Sequence, residues 1–168
     1  IANEFAGVLP GNQEDLESLP GIGTYTAGAI LSIAFNKPYT AVDGNVLRVF
    51  ARILANQNNI KDPNVKKVIR SVVSGLLPDS RVGDYNQALM EIGATICKPN
   101  GVPDCLNCPL SPFCEAYKNN LLHLIPSKQE KKKRRQEQKT IFVLRYKNGF
   151  AIEQRPKNGL LAGLYQFP

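Results

Sequence analysis

The sequence has no apolar run long enough to cross a bilayer, so it predicts no transmembrane helix. It also has no cysteine outside residues 97–114, where all 4 cysteines of the chain lie. This clustering argues against a disulfide framework spread over the fold and favours a reducing compartment. Histidine occurs once, at His123 among leucines, where a packed or surface role is favoured over catalysis. No internal repeat is visible, and 168 residues suffice for one domain or for one domain and part of a second.

Basic residues are in excess, with 21 Lys and Arg against 14 Asp and Glu and a formal net charge of +7. A basic surface favours polyanionic partners, nucleic acid first and acidic membrane second. Hydrophobic residues make up 43% of the chain, which is enough for a packed core. The chain begins without Met and ends in the apolar stretch "LLAGLYQFP", so we expect a fragment cut at both ends.

Capping residues and hydrophobic spacing predict five helices in the first part of the chain. Pro20 ends the first helix, Thr24 caps the second, and Asp43 caps the third. The fourth helix has an apolar stripe formed by Val65, Val68, Ile69 and Val72. The predicted ranges are 12–19, 24–34, 44–54, 63–76 and 84–97.

The character of the sequence changes after residue 126. Residues 127–139 are charged and nearly free of apolar side chains, which is typical of a linker or an exposed arm. The following "TIFVLRY", "KNG" and "FAIEQRP" predict a strand, a tight turn and a second strand. A helical unit therefore ends near residue 126, and a unit containing β-strands begins near residue 140.

The first two helices are joined by "LPGIG", which predicts a helix–hairpin–helix. Glycine reaches backbone angles with positive φ, so the amides around residues 21–25 can point outward together at the start of the second helix. Such a site suits an anion, for example a DNA phosphate, and reads no bases. Ile22 is expected to point inward and lock the hairpin. A purely structural hairpin is the alternative.

The cysteines are separated by seven, two and five residues, with prolines between them. Tetrahedral sulfur ligation suits zinc or an iron–sulfur cluster. Zinc fingers usually pair two Cys-x-x-Cys units, whereas this chain has one, so a [4Fe–4S] cluster is favoured and zinc is the alternative. Unligated core cysteines are a third possibility. The ligands predicted are Cys97, Cys105, Cys108 and Cys114.

In combination, "LPGIGTYTAGAI", "AVDGNVLRV" and "NQALMEIGATIC" with the cysteine loop resemble the helix–hairpin–helix DNA glycosylases that carry an iron–sulfur loop. Within them the chain is similar to the adenine DNA glycosylases, which remove adenine mispaired with 8-oxoguanine. "RPKNGLLAGLYQFP" resembles the start of that family's Nudix-like domain. The family's first cysteine gap usually has six residues, and this chain has seven, "KPNGVPD".

The resemblance implies a mainly α fold. Residues 1–126 would form part of the glycosylase domain, with the [4Fe–4S] loop at 97–114. A basic linker would follow at 127–139, and then the beginning of a Nudix-like α/β domain at 140–168. Within this fold the hairpin residues implied to contact DNA are Leu19, Pro20, Gly21, Ile22, Gly23 and Thr24.

The same resemblance implies three residues of the catalytic site. Asp43 matches the catalytic aspartate, whose carboxylate would stabilise or attack the positive sugar formed when a base leaves. Asn45 matches a neighbouring residue that orients the sugar or water. Tyr25 stands where bifunctional relatives have a lysine, and a phenol cannot form their Schiff base, so a monofunctional enzyme is implied. Each residue also has a structural alternative. Asp43 would be only a helix cap, Asn45 would only form a hydrogen bond at the start of the helix, and Tyr25 would be a core aromatic.

The implied activity is hydrolysis of the N-glycosidic bond of adenine opposite 8-oxoguanine or guanine in duplex DNA. The implied enzyme is a monomer without a membrane partner, cytoplasmic in a bacterium and nuclear or mitochondrial in a eukaryote. The family's catalytic glutamate would precede Ile1 and its lesion-reading residues would follow Pro168, so the segment alone is expected to be inactive.

The alternatives are a non-catalytic iron–sulfur or zinc DNA-binding module, and a glycosylase or lyase for another damaged base. A nucleotide diphosphate hydrolase would need a Glu-rich metal-binding helix, which the sequence does not show.

Further basic residues are candidates for DNA contact. Arg48 and Arg52 lie one turn apart on the third helix and are expected to reach phosphates or neighbouring acids. The run Lys131–Arg135 would add a salt-dependent contact to the DNA backbone. Asp43 is predicted at the mouth of a cleft.

Overall fold

The computed structural model of the chain describes residues 1–127, 136 and 138–168. The chain divides into two compact units, Ile1–Gln129 and Glu130–Pro168. The predicted basic run Lys131–Arg135 lies outside the described residues. No helix in the described ranges combines the length and the apolar character that a bilayer crossing requires. The α-helices of the first unit are α1 Gln13–Ser18, α2 Thr24–Ile33, α3 Gly44–Ile53, α4 Pro63–Gly75, α5 Val82–Glu91 and α6 Glu115–Lys118.

Side-chain caps start three of these helices, and the one at Asp43 is predicted from the sequence. The Asn12 side chain accepts from the Asp15 amide at the start of α1, and Asp43 and Asp62 cap α3 and α4. The prediction that Thr24 caps α2 is wrong. Gly23 precedes the helix without a side-chain cap, and Thr24 is already the first helical residue.

Two apolar clusters hold the first unit together. The smaller joins α1 to α2, and the larger lies around α3 and includes residues of α4, α5, α6 and the cysteine loop. On α4 the buried residues are Val65, Ile69 and Val73, which recur every four positions. The predicted stripe is therefore wrong at Val68, which is 53% exposed because it lies at the edge of that face. The smaller cluster comprises Leu16, Leu19, Ala27 and Leu31.

The helix that leads to the cysteine loop differs from the prediction at both ends. It begins at Val82 rather than at Asp84, after Arg81 in the left-handed region. Past Glu91 the backbone widens into a π-helical turn, Ile92–Ile96. The Cys97 amide closes this turn by donating to the Ile92 carbonyl over 2.7 Å. The first cysteine is therefore delivered at the end of the helix, as predicted.

The cysteine loop itself has little regular structure. Before α6 it contains one short 3-10 turn, Ser111–Phe113. The prolines of this stretch agree with its prediction as a loop, because proline lacks the amide that continued helix or sheet needs.

The part of the second unit that the structure describes contains two antiparallel pairs of short strands. β1 Arg145–Tyr146 pairs with β2 Gly149–Phe150, so that Tyr146 faces Gly149 across a two-residue turn. β3 Glu153–Gln154 pairs with β4 Tyr165–Gln166. The predicted strand–turn–strand is thus present, although the strands are shorter than the apolar runs that predicted them.

Candidate functional site

The hairpin between α1 and α2 has an exposed turn over a packed base. Gly21 has φ +84°, in the left-handed region, whereas Gly23 is extended with φ −107° and ψ −179°. Only the first glycine therefore supplies the conformational freedom that the sequence indicates for both. Ile22 is half-buried and packs on the small cluster between the two helices, as predicted. Its amide donates to the Leu19 carbonyl over 3.1 Å, which closes the turn.

The residues of the turn that would contact an anion are accessible to solvent. Pro20, Gly21, Gly23 and Thr24 are exposed, and no side chain caps the first turn of α2. The first amides of a helix have no partner within the helix and can donate to an anion.

Asp43 lies at the start of α3 with its two carboxylate oxygens differently engaged. Oδ1 accepts from the amides of Asn45 and Val46, each over 2.8 Å, so the predicted cap is confirmed. Oδ2 accepts from the side-chain amide of Asn45 over 2.8 Å. The residue is half-buried and does not lie in a closed core. Its carboxylate is thus fixed in one orientation while retaining access to solvent.

Arg48 links this first turn of α3 to the end of the π-helical turn. Its Nη2 donates to the Asn45 side-chain oxygen over 2.9 Å and to the Gly93 carbonyl over 2.7 Å. Its Nε donates to the Cys97 carbonyl over 2.8 Å. Burial lowers the pKa of the Arg48 guanidinium, and Cys97 and Asp43 oppose that shift.

Gly93 allows this close approach between the two segments. A Cβ at that position would lie 2.6 Å from the Cβ of Asn45, so no side chain fits there without movement. The first turn of α3 and the π-helical turn therefore meet through a glycine.

Arg52 is buried one turn further along α3. Its Nε donates to the Ile125 carbonyl over 2.9 Å, and its Nη1 donates to the Cys97 sulfur and to the Lys98 carbonyl, each over 3.1 Å. The expectation that Arg48 and Arg52 reach DNA phosphates or neighbouring acids is wrong. Both side chains are inside the domain, where their partners are a side-chain amide, backbone carbonyls and a thiol.

The four cysteines line one common cavity with the apolar side chains of Val49, Ile53, Ile92 and Leu110. Burial raises the pKa of the Cys105 and Cys114 thiols, and neighbouring thiols raise both further. Within the described ranges, no three His, Cys, Asp or Glu side chains are grouped so that they could hold a single metal ion. The arrangement is one of four thiols around an apolar cavity with a buried guanidinium against Cys97.

Tyr25 is 39% exposed and is therefore not a core aromatic. Its hydroxyl donates to the sulfur of Met90 on α5 over 3.6 Å. The ring lines a small pocket together with Thr24, Thr40, Val42 and Arg70. This pocket reaches the residue immediately before Asp43, so Tyr25 and the start of α3 border one region of the surface.

Sequence analysis missed Asn86, which positions the segment leading to Asp43. Its side-chain oxygen accepts from the Ala41 amide over 3.0 Å, and its side-chain nitrogen donates to the Tyr39 carbonyl over 2.8 Å. A buried asparagine satisfies an extended segment in this way because its amide offers both a donor and an acceptor. The only signal in the sequence is a polar residue on the buried face of α5.

Comparison with known proteins supports the helix–hairpin–helix formed by α1, the turn and α2. A family model of the helix–hairpin–helix motif matches residues 4–33. An adenine DNA glycosylase of Arabidopsis thaliana is 40% identical over 95% of this chain and 28% of its own length. That of Buchnera aphidicola subsp. Baizongia pistaciae is 37% identical over 100% of this chain and 47% of its own. The human adenine DNA glycosylase is 33% identical over 100% of this chain and 39% of its own.

Solved structures show the same likeness. A thermostable thymine-DNA glycosylase matches with a TM-score of 0.61 and 32% identity, over 70% of this chain and 53% of that chain. A non-covalent endonuclease III–DNA complex matches with a TM-score of 0.56 and 29% identity, over the same shares. The chain spans less than half the length of each of the three curated relatives. The chain is thus similar in sequence to proteins named adenine DNA glycosylases over 95–100% of its own length, and similar in structure to DNA glycosylases over 70% of it.

Proposed function

We propose that the complete polypeptide carrying this sequence is a monofunctional DNA glycosylase of base-excision repair. Its substrate is adenine mispaired with 8-oxoguanine or guanine in duplex DNA, and it hydrolyses the bond between adenine and deoxyribose. The observation that carries the proposal is Asp43, a half-buried carboxylate held by two backbone amides and by Asn45. The relatives named as adenine DNA glycosylases support the choice of base.

In this reaction Asp43 acts on the sugar. Departure of the base builds positive charge at C1′, and a carboxylate facing that carbon stabilises the oxocarbenium or attacks it to form a transient covalent adduct. Because Oδ1 is held by the helix amides, Oδ2 is the oxygen left to face the sugar. Asn45 orients that oxygen through its side-chain amide. Protonation of the departing adenine is a separate task for a general acid.

Tyr25 is the reason why we propose base removal without cleavage of the DNA strand. A glycosylase that also cleaves the strand uses an amine, which attacks C1′ and forms a Schiff base. The phenol of Tyr25 cannot form one, so the product is an abasic site in an intact strand. Its exposed ring and its place beside the start of α3 suit a contact with a nucleotide rotated out of the duplex.

The hairpin is proposed as the contact with the DNA backbone. Pro20, Gly21, Gly23 and Thr24 are the exposed residues of the turn, which also presents the uncapped first amides of α2. Leu19 is buried and Ile22 half-buried beneath them, so these two residues support the turn from the small cluster. Such amides bind a phosphate without reading sequence. The match to the helix–hairpin–helix motif supports this role.

The cysteine cavity is proposed to hold a [4Fe–4S] cluster, with zinc as the alternative. Four thiols line one apolar cavity and the Arg52 guanidinium donates to the Cys97 sulfur, which supports a cluster. Among the described residues no three donors are grouped around a single metal ion, which counts against zinc. Cys97, Cys105, Cys108 and Cys114 would hold the cluster through thiolate ligation, which would join four points of the loop. Arg52 donates to the Cys97 sulfur and Arg48 to the Cys97 carbonyl, so two guanidiniums hold this end of the loop beside the cavity.

The remaining assignments concern organisation. We propose that residues 1–126 belong to the glycosylase domain, residues 127–139 to a linker and residues 140–168 to the beginning of a Nudix-like domain. The paired strands of the second unit support a β-containing domain there. We further propose a monomer that works with the chromosome, in the cytoplasm of a bacterium or in the nucleus or mitochondrion of a eukaryote.

The test is base release by the complete polypeptide from a panel of duplexes under single-turnover conditions. The panel carries adenine opposite 8-oxoguanine, guanine or thymine, and thymine opposite guanine. The proposal expects release of adenine from the first two duplexes, with the strand left uncut. Release of thymine in place of adenine would assign another base, and DNA binding without release of any base would leave a non-catalytic DNA-binding module.

A further inference from the structure

Arg70 on α4 lines the small pocket beside Tyr25. It is the one charged residue in that pocket, where the other lining residues are Thr24, Tyr25, Thr40 and Val42. Arg70 is exposed, and it makes no hydrogen bond or ion pair with any residue that the structure describes. The fold therefore leaves this guanidinium available for a partner outside the chain.

The pocket joins two parts of the proposed site. Thr24 and Tyr25 are the first residues of α2, directly after the hairpin turn. Val42 immediately precedes Asp43, the cap of α3. A nucleotide whose sugar faces Asp43 would place one of its phosphates near this pocket, because sugar and phosphate are directly linked in a DNA strand.

The charge of α4 favours an anion there. Lys66 and Lys67 lie one turn before Arg70 on the same helix, and the helix contains no acidic residue. The two threonine hydroxyls of the pocket are additional donors. A guanidinium and hydroxyls are the groups that bind a phosphate, whereas a neutral adenine offers no charge to the guanidinium.

We propose that Arg70 binds a backbone phosphate of the strand that carries the target adenine, at or next to the target nucleotide. The contact comes from α4 and so adds to the DNA surface a helix outside the hairpin. It rests on the proposed glycosylase function. The role is in binding and positioning, since Arg70 has no place in the bond-breaking step.

The experiment compares the wild-type complete polypeptide with Arg70→Ala, Arg70→Gln and Arg70→Lys. Lys67→Ala is the matched control, because Lys67 is an exposed cation of the same helix that does not line the pocket. Single-turnover adenine release is measured against enzyme concentration at several salt concentrations. This separates the half-saturating concentration from the maximal rate.

For Arg70→Ala and Arg70→Gln the half-saturating concentration is expected to rise about tenfold, as loss of one charged hydrogen bond predicts. The slope of log affinity against log salt should fall by about one, because one phosphate contact is lost. Arg70→Lys should restore most of the slope, and the maximal rate should change little.

An unchanged salt slope in both Arg70→Ala and Arg70→Gln would overturn the inference. An equal loss of slope in Lys67→Ala would also overturn it, because the effect would then come from the general charge of α4. If the wild-type polypeptide releases adenine and these outcomes occur, the inference fails alone. If the wild-type polypeptide neither binds DNA nor releases adenine, the proposed function fails instead.

Discussion

Arg48 donates a hydrogen bond from Nη2 to the side-chain oxygen of Asn45 over 2.9 Å. Asn45 in turn donates from its side-chain nitrogen to Oδ2 of Asp43 over 2.8 Å. Because an asparagine amide accepts at one end and donates at the other, the bond from Arg48 fixes which end faces Asp43. Arg48 is itself anchored on the carbonyls of Gly93 and Cys97. The orientation of the candidate catalytic carboxylate therefore depends on a residue that is buried against the cysteine loop.

Replacing Arg48 tests whether this anchor stabilises the domain. Arg48→Met removes the donor for the Asn45 oxygen and for two backbone carbonyls. Unsatisfied buried acceptors are costly, so we expect the free energy of unfolding to fall by about 3 kcal/mol. Urea unfolding of the complete polypeptide measures the change. Arg81→Met is the control, because Arg81 forms an exposed ion pair with Asp84 and should change stability by no more than about 0.5 kcal/mol. Equal stabilities of the two variants would contradict this assignment.

The close approach at Gly93 predicts a site where one methyl group matters. Gly93→Ala places a Cβ 2.6 Å from the Cβ of Asn45, so the π-helical turn must move away from α3. We expect a loss of about 2 kcal/mol in unfolding free energy and slower adenine release, because Asn45 is displaced. Thermal unfolding and single-turnover rates measure the two effects.

Gly75→Ala is the control for Gly93→Ala. A Cβ at Gly75 meets no atom within 4 Å, and alanine favours helix over glycine, so stability should be unchanged or higher. If both alanine variants behave like the wild type, the packing of Asn45 on Gly93 does not constrain the site.

Tyr25 predicts the products of the reaction. The wild-type polypeptide should form no covalent complex with DNA that borohydride reduces, because a phenol forms no Schiff base. Tyr25→Lys supplies an amine beside the start of α3 and should give a detectable trapped complex and some strand cleavage. Tyr25→Phe removes only the hydroxyl bonded to Met90 and should release adenine without trapping. Trapping of the wild-type polypeptide would show that another amine attacks the sugar.

The cysteine cavity predicts a metal content. The complete polypeptide, purified without oxygen, should contain about four iron ions with sulfide and little zinc. Cys114→Ser removes a ligand from the buried side of the cavity and should lower both iron content and thermal stability. One zinc ion per chain without sulfide would establish zinc as the bound metal. A wild-type polypeptide that folds stably without any bound metal would contradict both the cluster and zinc.

Features with local causes could be predicted from the sequence. The Asp43 cap, the left-handed Gly21 and the inward Ile22 each depend on residues within a few positions along the chain. The position of Cys97 at the end of a helix also has a local cause, but no residue type in the sequence predicts the π-helical turn before it.

Features with distant partners could not be predicted. Arg48 and Arg52 form part of a basic surface pattern in the sequence, but their partners other than Asn45 lie 45 to 73 positions away. Both guanidiniums are satisfied inside the domain because the π-helical turn, the start of the cysteine loop and Ile125 supply carbonyls to them. Asn86 holds the segment before Asp43 from a similar distance, and a lone asparagine gives no sign of it.

The central claim is that Asp43 stabilises the positive sugar, and Asp43→Asn tests it most directly. Asparagine also caps helices well, so the start of α3 should remain intact while the charge is lost. Single-turnover adenine release from a duplex with adenine opposite 8-oxoguanine is measured for both forms, with thermal unfolding as the check on folding. The account predicts equal folding and DNA binding, with release slowed about a hundredfold or more. Release at the wild-type rate by a folded Asp43→Asn polypeptide would contradict it and leave Asp43 as a helix cap alone.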